Sequence, residues 1–203
     1  NTSNLGGGSC YDQEAFDEIA KVAASLGCAT HIDGARVFNA AVATGVDVAR
    51  MCEHYDSVSI CFSKGLGAPV GSVLVGSSAF IARAHRWRKM FGGGWRQAGV
   101  LAAACLHALD HHVDRLEEDH ERAHQIALML NALPEFTVDL DTVQTNMVYA
   151  KTTRPAAEVV KHYGENGIDM FDLSENRIRV VVHLHITDED VAKFTEVSQR
   201  LFG

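Results

Sequence analysis

Two short apolar segments, each running into a charged residue and then a glycine, limit what this chain can fold into. CATHID ends on Asp33 ahead of Gly34, and SVSICFSK ends on Lys64 ahead of Gly65. Both read as strands, and GVDVARMCEHY between them reads as a crossover helix. Strand, helix and strand within roughly 35 residues make a βαβ unit, which predicts a parallel pair. Ligands of an open parallel sheet bind in the crevice beyond the carboxyl ends of its strands. Asp33 and Lys64, 31 positions apart, are therefore expected to share one crevice.

A carboxylate and a lysine in one crevice admit two readings. One is an ordinary ion pair, the commoner arrangement. The other is chemical: the amine condenses with an aldehyde while the carboxylate keeps a ring nitrogen protonated, which is what pyridoxal phosphate requires. Glycines at 65, 67 and 71 would let the backbone pass close to a bulky ligand. Spacing alone leaves both open.

The rest of the chain reads as α/β. DQEAFDEIAKVAASLG places Phe16, Ile19, Ala23 and Leu26 at helical spacing, with Gly27 as a C-cap. SVLVG is a short strand, and SSAFIARAHRWRKM a helix that starts on a serine cap and stops at three glycines. Residues 97–132 predict one long helix carrying the stripe Leu109, Val113, Leu116, His120, Ala123, Ala127 and Leu130. Beyond Pro134 come strands FTVDLD and TNMVYAK, a helix from Pro155, the strand RIRVVVHL and a final helix DEDVAKFTEVSQRLF. The expected organisation is a first part over 1–112 and a small α/β sandwich over 113–203, hinged at the long helix.

With 203 residues, 47% of them hydrophobic and 22% charged, the composition is that of a globular chain with a real core. A net charge of −8 argues against a general nucleic-acid binder. No apolar run suggests a membrane span. Cys10, Cys28, Cys52, Cys61 and Cys105 are scattered and odd in number, which reads as reduced thiols in the cytoplasm or the mitochondrial matrix.

Three stretches add a resemblance to these readings. HIDGARVFNAAVATGV, DSVSICFSKGLGAPVGSVLVGS and RKMFGGGWRQAGVLAAA, in that order, resemble signature blocks of the low-specificity threonine aldolases. These belong to the aspartate-aminotransferase superfamily of pyridoxal-phosphate enzymes, fold type I, and the opening NTSN is similar to the loop that precedes the blocks. The resemblance implies part of a large cofactor-binding domain, mostly parallel sheet with flanking helices, joined to a small C-terminal α/β domain. It implies pyridoxal 5'-phosphate bonded to Lys64, with Asp33 on the pyridine nitrogen and Arg36 on the 3'-oxygen. Ser63 matches the phosphate or ring environment. Lys89 and Arg96 match basic positions near the phosphate, and Arg179 matches the arginine that grips the substrate carboxylate. Arg177 shares its strand face, so either could be the clamp, and the motif favours Arg179.

The implied reaction cleaves threonine or allo-threonine, or similar β-hydroxy-α-amino acids, to glycine and an aldehyde, in a homodimer or homotetramer. The Gly-rich phosphate loop, the ring-stacking aromatic residue and the histidines proposed as base would lie upstream of Asn1, making this chain a fragment. Two alternatives stand beside it: a related β-eliminating lyase, and an inactive relative that retains only subunit-contact surfaces.

Other motifs favour structural roles. HERAH at 120–124 matches the zinc pattern HExxH, but His120 lies in the apolar stripe and no third ligand follows at the usual distance. The pairs His107/His111 and His183/His185 lack cysteines or carboxylates at ligand spacing, so no metal site is expected. His183 is of interest only for its closeness to Arg179. Arg83, Arg86, Arg88 and Lys89 read as a solvated face or subunit contact, and DRLEEDHE as a solvated helix face.

Overall fold

The strand–helix–strand reading is realised as β1 (His31–Gly34), α2 (Val37–Thr44), α3 (Val48–Cys52) and β2 (Ser57–Cys61). The computed structural model describes residues 6–203, so the opening NTSN lies outside the described residues. β1 and β2 are parallel, with His31 opposite Ser57 and Asp33 opposite Ser59. The crossover is two short helices where one was expected. Gly45 closes α2 in the left-handed conformation, and Asp47 caps α3 by accepting from the Ala49 amide. β3 (Ser72–Gly76) returns antiparallel to β2, giving the order β1-β2-β3.

α1 (Gln13–Ser25) covers one face of this sheet. Its Phe16 packs with Ile32 and Val58, bordered by Cys52, Tyr55 and Ile60. Polar bonds fix the same contact: the Tyr55 hydroxyl donates to the Phe16 carbonyl at 2.7 Å, and Arg50 forks onto Asp17. The bidentate pair holds the Asp17 carboxyl down at about 2. Gly34 is required here by close approach. A Cβ on it would come within 2.8 Å of the Ser59 carbonyl and 3.0 Å of Val58.

α4 (Ser78–Met90) starts on Ser77, which accepts from the Phe80 amide, and α5 (Gly99–His111) follows. The expected continuous helix over 97–132 does not form. α5 stops at His111 and α6 (Leu116–Asn131) starts after four intervening residues. Val113 fits the apolar stripe, so the pattern hides a break that backbone geometry makes.

The chain divides into two compact units. One is Tyr11–Asp114; the other is Arg115–Gly203 together with the described residues 6–10. The early residues join the second unit by long-range bonds. Thr145 donates to the Gly8 carbonyl at 2.6 Å, and the Cys10 amide donates to Gln144. A Cβ on Gly8 would press on Thr145 and Met147, so this seat accepts only glycine.

The second unit carries β4 (Phe136–Val138), β5 (Met147–Thr152), β6 (Phe171–Ser174) and β7 (Arg177–Val181), all antiparallel, in the order β4-β5-β7-β6. α6, α7 (Ala156–Gly164) and α8 (Asp188–Phe202) supply Ala123, Ile126, Leu130, Val159, Phe194 and Phe202 to its core. α8 begins on a capping box in which Thr187 and Asp190 satisfy each other's backbone amides. Two buried polar groups are matched: Asp119 takes a 2.7 Å bond from Arg115, and the Tyr163 hydroxyl meets Ser198 at 2.7 Å. Burial alone pushes the His120 imidazole down to about 4, the mark of a packed histidine.

Candidate active site

β1 and β2 deliver their ends side by side because the ladder is parallel and the register is tight. Ile32 and Val58 point into the α1 contact. Side chains alternate along a strand, so Asp33, Ser59 and Cys61 occupy the opposite face. Asp33 is exposed there, and its Oδ1 accepts from the Ala35 amide at 3.1 Å. That bond turns the chain out of β1 towards Arg36. Ser63 and Lys64 follow β2 by two and three residues and are exposed.

A loop over residues 62–71 carries Lys64 and closes on itself. The Gly67 amide donates to the Lys64 carbonyl at 2.8 Å, Ala68 to Phe62 at 2.9 Å, and Phe62 to Gly71 at 3.0 Å. Phe62, Leu66 and Ala68 are buried, so the loop is anchored by apolar side chains while Ser63 and Lys64 face outward. Ser63 Oγ and Cys61 Sγ are 3.4 Å apart. Burial pushes the Cys61 thiol up, but hydrogen bonding by Ser63 and the Lys64 charge outweigh it and leave the thiol below its usual range.

The turn after Asp33 meets this loop in a seam of about 10 Å³ lined by Gly34, Arg36, Asn39, Cys61, Gly65 and Leu66. A space that small holds no ligand. It is a packing seam that locks the Arg36 turn against the Lys64 loop. Asn39 and Cys61 are residues of this locality that motif reading passed over, although Cys61 lies two positions from Ser59 on the face of Asp33. The larger hollows lie elsewhere. One of about 620 Å³ is lined by Val73, Leu74, Phe80, Ile81, Trp87 and Arg88. Another, in the second unit, of about 370 Å³, is lined by His183, Lys193 and Phe194 among others.

The structure thus brings Asp33, Arg36, Ser63 and Lys64 to one end of the β1–β2 pair. Lys89 is exposed in the last turn of α4, and Arg96 is exposed in the turn ahead of α5. A Cβ on Gly94 would collide with the Lys89 side chain, so the triple-glycine turn folds directly onto that lysine. Arg179 belongs to the second unit, on β7, opposite Tyr149 of β5 and Phe171 of β6. Its guanidinium lies 4.8 Å from the Phe171 ring centre, while Arg177 lies 4.9 Å from that of Tyr149. Arg179 is half-buried and Arg177 exposed. The aromatic faces hold both planar forks in fixed orientations, which a lysine in their place would not permit.

Among the described residues no three His, Cys, Asp or Glu side chains gather to hold a metal ion, and no helix is long and apolar enough to cross a membrane.

Residues 1–153 match the family model described as beta-eliminating lyase. The chain belongs to that family. Its similarity to family members extends further along the sequence. It is 44% identical over 195 residues to low-specificity L-threonine aldolase 1 of Arabidopsis thaliana, covering 94% of this chain and 54% of that protein. It is 40% identical over 190 residues to the low specificity L-threonine aldolase of Escherichia coli K12, covering 94% and 56%. The chain therefore spans a little over half the length of these relatives. Its fold is that of the Leishmania major threonine aldolase, with a TM-score of 0.75 at 17% identity, over 94% of this chain and 57% of that one. A Listeria monocytogenes structure superposes with a TM-score of 0.81 at 20% identity. The expected resemblance and the α/β fold are both confirmed.

Proposed function

We propose that the protein of which this chain is part cleaves threonine-like β-hydroxy-α-amino acids to glycine and an aldehyde, using pyridoxal 5'-phosphate. The observation that carries this reading is the delivery of Asp33 and Lys64 by the adjacent carboxyl ends of a parallel pair. Similarity to proteins named as low-specificity threonine aldolases supports the choice of substrate.

The donor set fits the cofactor. Lys64 is an exposed primary amine that can bond its aldehyde carbon. Asp33 is an exposed carboxylate that can hold its ring nitrogen protonated. Arg36 leaves the same turn and would hold the 3'-oxygen, and Ser63 stands beside Lys64 for the phosphate or ring. Lys89 and Arg96 would add positive charge near the phosphate. When bound, the cofactor supplies a sink for the electron pair released as the Cα–Cβ bond breaks.

The protein residues bind and orient. Arg179 would grip the substrate carboxylate through two parallel N–H donors, which would fix the orientation of the substrate. Lys64 would hold the cofactor through its Nζ, and as a primary amine it could also hold or carry a proton at that atom. Asp33 would act electrostatically, through its carboxylate beside the ring nitrogen.

The test is incubation of the chain with pyridoxal phosphate, borohydride reduction and peptide mapping, followed by product analysis with threonine. Label on Lys64, with glycine and acetaldehyde as products, is expected. Release of 2-oxobutyrate and ammonia would assign the β-eliminating reaction instead. A label spread over surface lysines would end the cofactor assignment.

A further inference from the structure

We propose that His112 is a positioning residue for Lys64, holding the lysine-bearing loop through a hydrogen bond to the Leu66 carbonyl; this rests on the assignment of Lys64 above. His112 Nδ1 lies 2.7 Å from the Leu66 oxygen, 46 residues away in sequence. A carbonyl can only accept, so the proton is on Nδ1 and a neutral His112 ring keeps Nε2 free as an acceptor.

The geometry makes this bond a brace. The Lys64 turn is closed from within by the Gly67 and Ala68 amides, and such bonds fix a loop's shape without fixing where it stands. His112 adds a contact from a different element. Its own backbone is held as the C-cap of α5, the amide donating to the Ala108 carbonyl at 2.9 Å. Its ring is held edge-on by His107, at 5.2 Å between centres and 89° between planes, and His107 in turn meets His111 at 4.5 Å. An imidazole fixed at backbone and ring presents its donor at one place. Leu66, two residues after Lys64, is buried and accepts it. Displacement of a reacting group by about 1 Å costs on the order of a hundredfold in rate, so a brace two residues away acts on the chemistry without touching substrate.

The Asn side chain can present an N–H donor close to where Nδ1 lies, whereas Leu and Asp of similar size cannot donate. The experiment compares His112→Asn, His112→Leu and His112→Asp with the parent chain by amide hydrogen exchange. Exchange at Gly67 and Ala68 should rise at least about tenfold in the Leu and Asp variants. It should stay near the parent rate in the Asn variant, with exchange in α1 unchanged throughout. The second readout is the rate at which added pyridoxal phosphate becomes borohydride-trapped on Lys64, which should fall in the Leu and Asp variants and recover in the Asn variant. Equal protection of Gly67 and Ala68 in all four proteins would overturn the proposal. So would an Asn variant as loosened as the Leu variant, since packing rather than donation would then be the cause. If the parent chain traps no cofactor at Lys64, the site assignment falls, while the exchange result still decides whether His112 braces the loop.

Discussion

Asp33 stands directly across from Ser59 in the parallel ladder, and Lys64 follows Ser59 by five residues. One register therefore determines where both groups leave the sheet. The Asp33 face is also the Cys61 face, and the opposite face is closed by Phe16. A one-residue slip of β1 against β2 would turn Asp33 into the α1 contact and destroy the pairing.

Lys64 is exposed, so its replacement should leave stability within about 0.5 kcal/mol. Lys64→Ala should abolish the visible band formed with pyridoxal phosphate and all borohydride trapping. Thermal unfolding and absorbance, measured on the same sample, separate the two effects. Retention of the band would place the bonded lysine elsewhere.

Replacing Asp33 should act differently. Asp33→Asn keeps the shape and removes the charge, so trapping at Lys64 should persist while threonine cleavage falls. A hydrogen bond to a charged group contributes about 1.5–3 kcal/mol, which corresponds to roughly 10- to 100-fold in rate. Steady-state kinetics of the full-length protein measures this, and an unchanged rate would refute the role of the carboxylate.

Glu135 is a buried carboxylate at the start of β4 that gathers three donors: the Thr153 and Arg154 amides and Arg154 Nε at 2.9 Å. Burial pushes its carboxyl up, but the bonds from Arg154 and Thr153 prevail and hold it below the usual range. Glu135→Ala strands the Arg154 amide, while the Thr153 amide keeps its 3.0 Å bond to the Glu135 carbonyl, and should cost about 1–3 kcal/mol of second-unit stability. Urea unfolding with amide hydrogen exchange read at β4 and β5 tests this; a loss below about 1 kcal/mol would show that water replaces the carboxylate.

His120 sets a pH dependence. Its imidazole falls from 6.5 to about 4 on folding because burial disfavours the charged form. A depressed folded value means its contribution is fully present above 6.5 and is lost as pH falls from there towards 4. His120→Met should flatten the unfolding midpoint across that window. It should leave the midpoint above pH 7 almost unchanged. An equally steep curve in the variant would assign the slope to other groups.

Much of this protein could be read along the chain. The βαβ unit announced itself because a parallel pair needs a crossover and because Asp33 and Lys64 interrupt apolar segments at strand ends. α6 and α8 were equally visible, their buried residues recurring at steps of three and four. β6 was not visible. All four of its residues are exposed and a bulge interrupts its pairing at Asp172/Ser174, so no alternation of apolar and polar residues marks it.

Residue order alone determined which side chains are candidates for chemistry, since an amine, a carboxylate and an arginine fork in recognisable blocks are local properties. Only the tertiary structure decided what holds them. The seat of Gly8 on Thr145, the seam joining Arg36 to Cys61 and the grip of His112 on Leu66 each depend on contacts between residues far apart in the chain. Periodicity reports one element's environment and is blind to which distant group completes it. A hydrogen bond across 46 residues leaves no period behind.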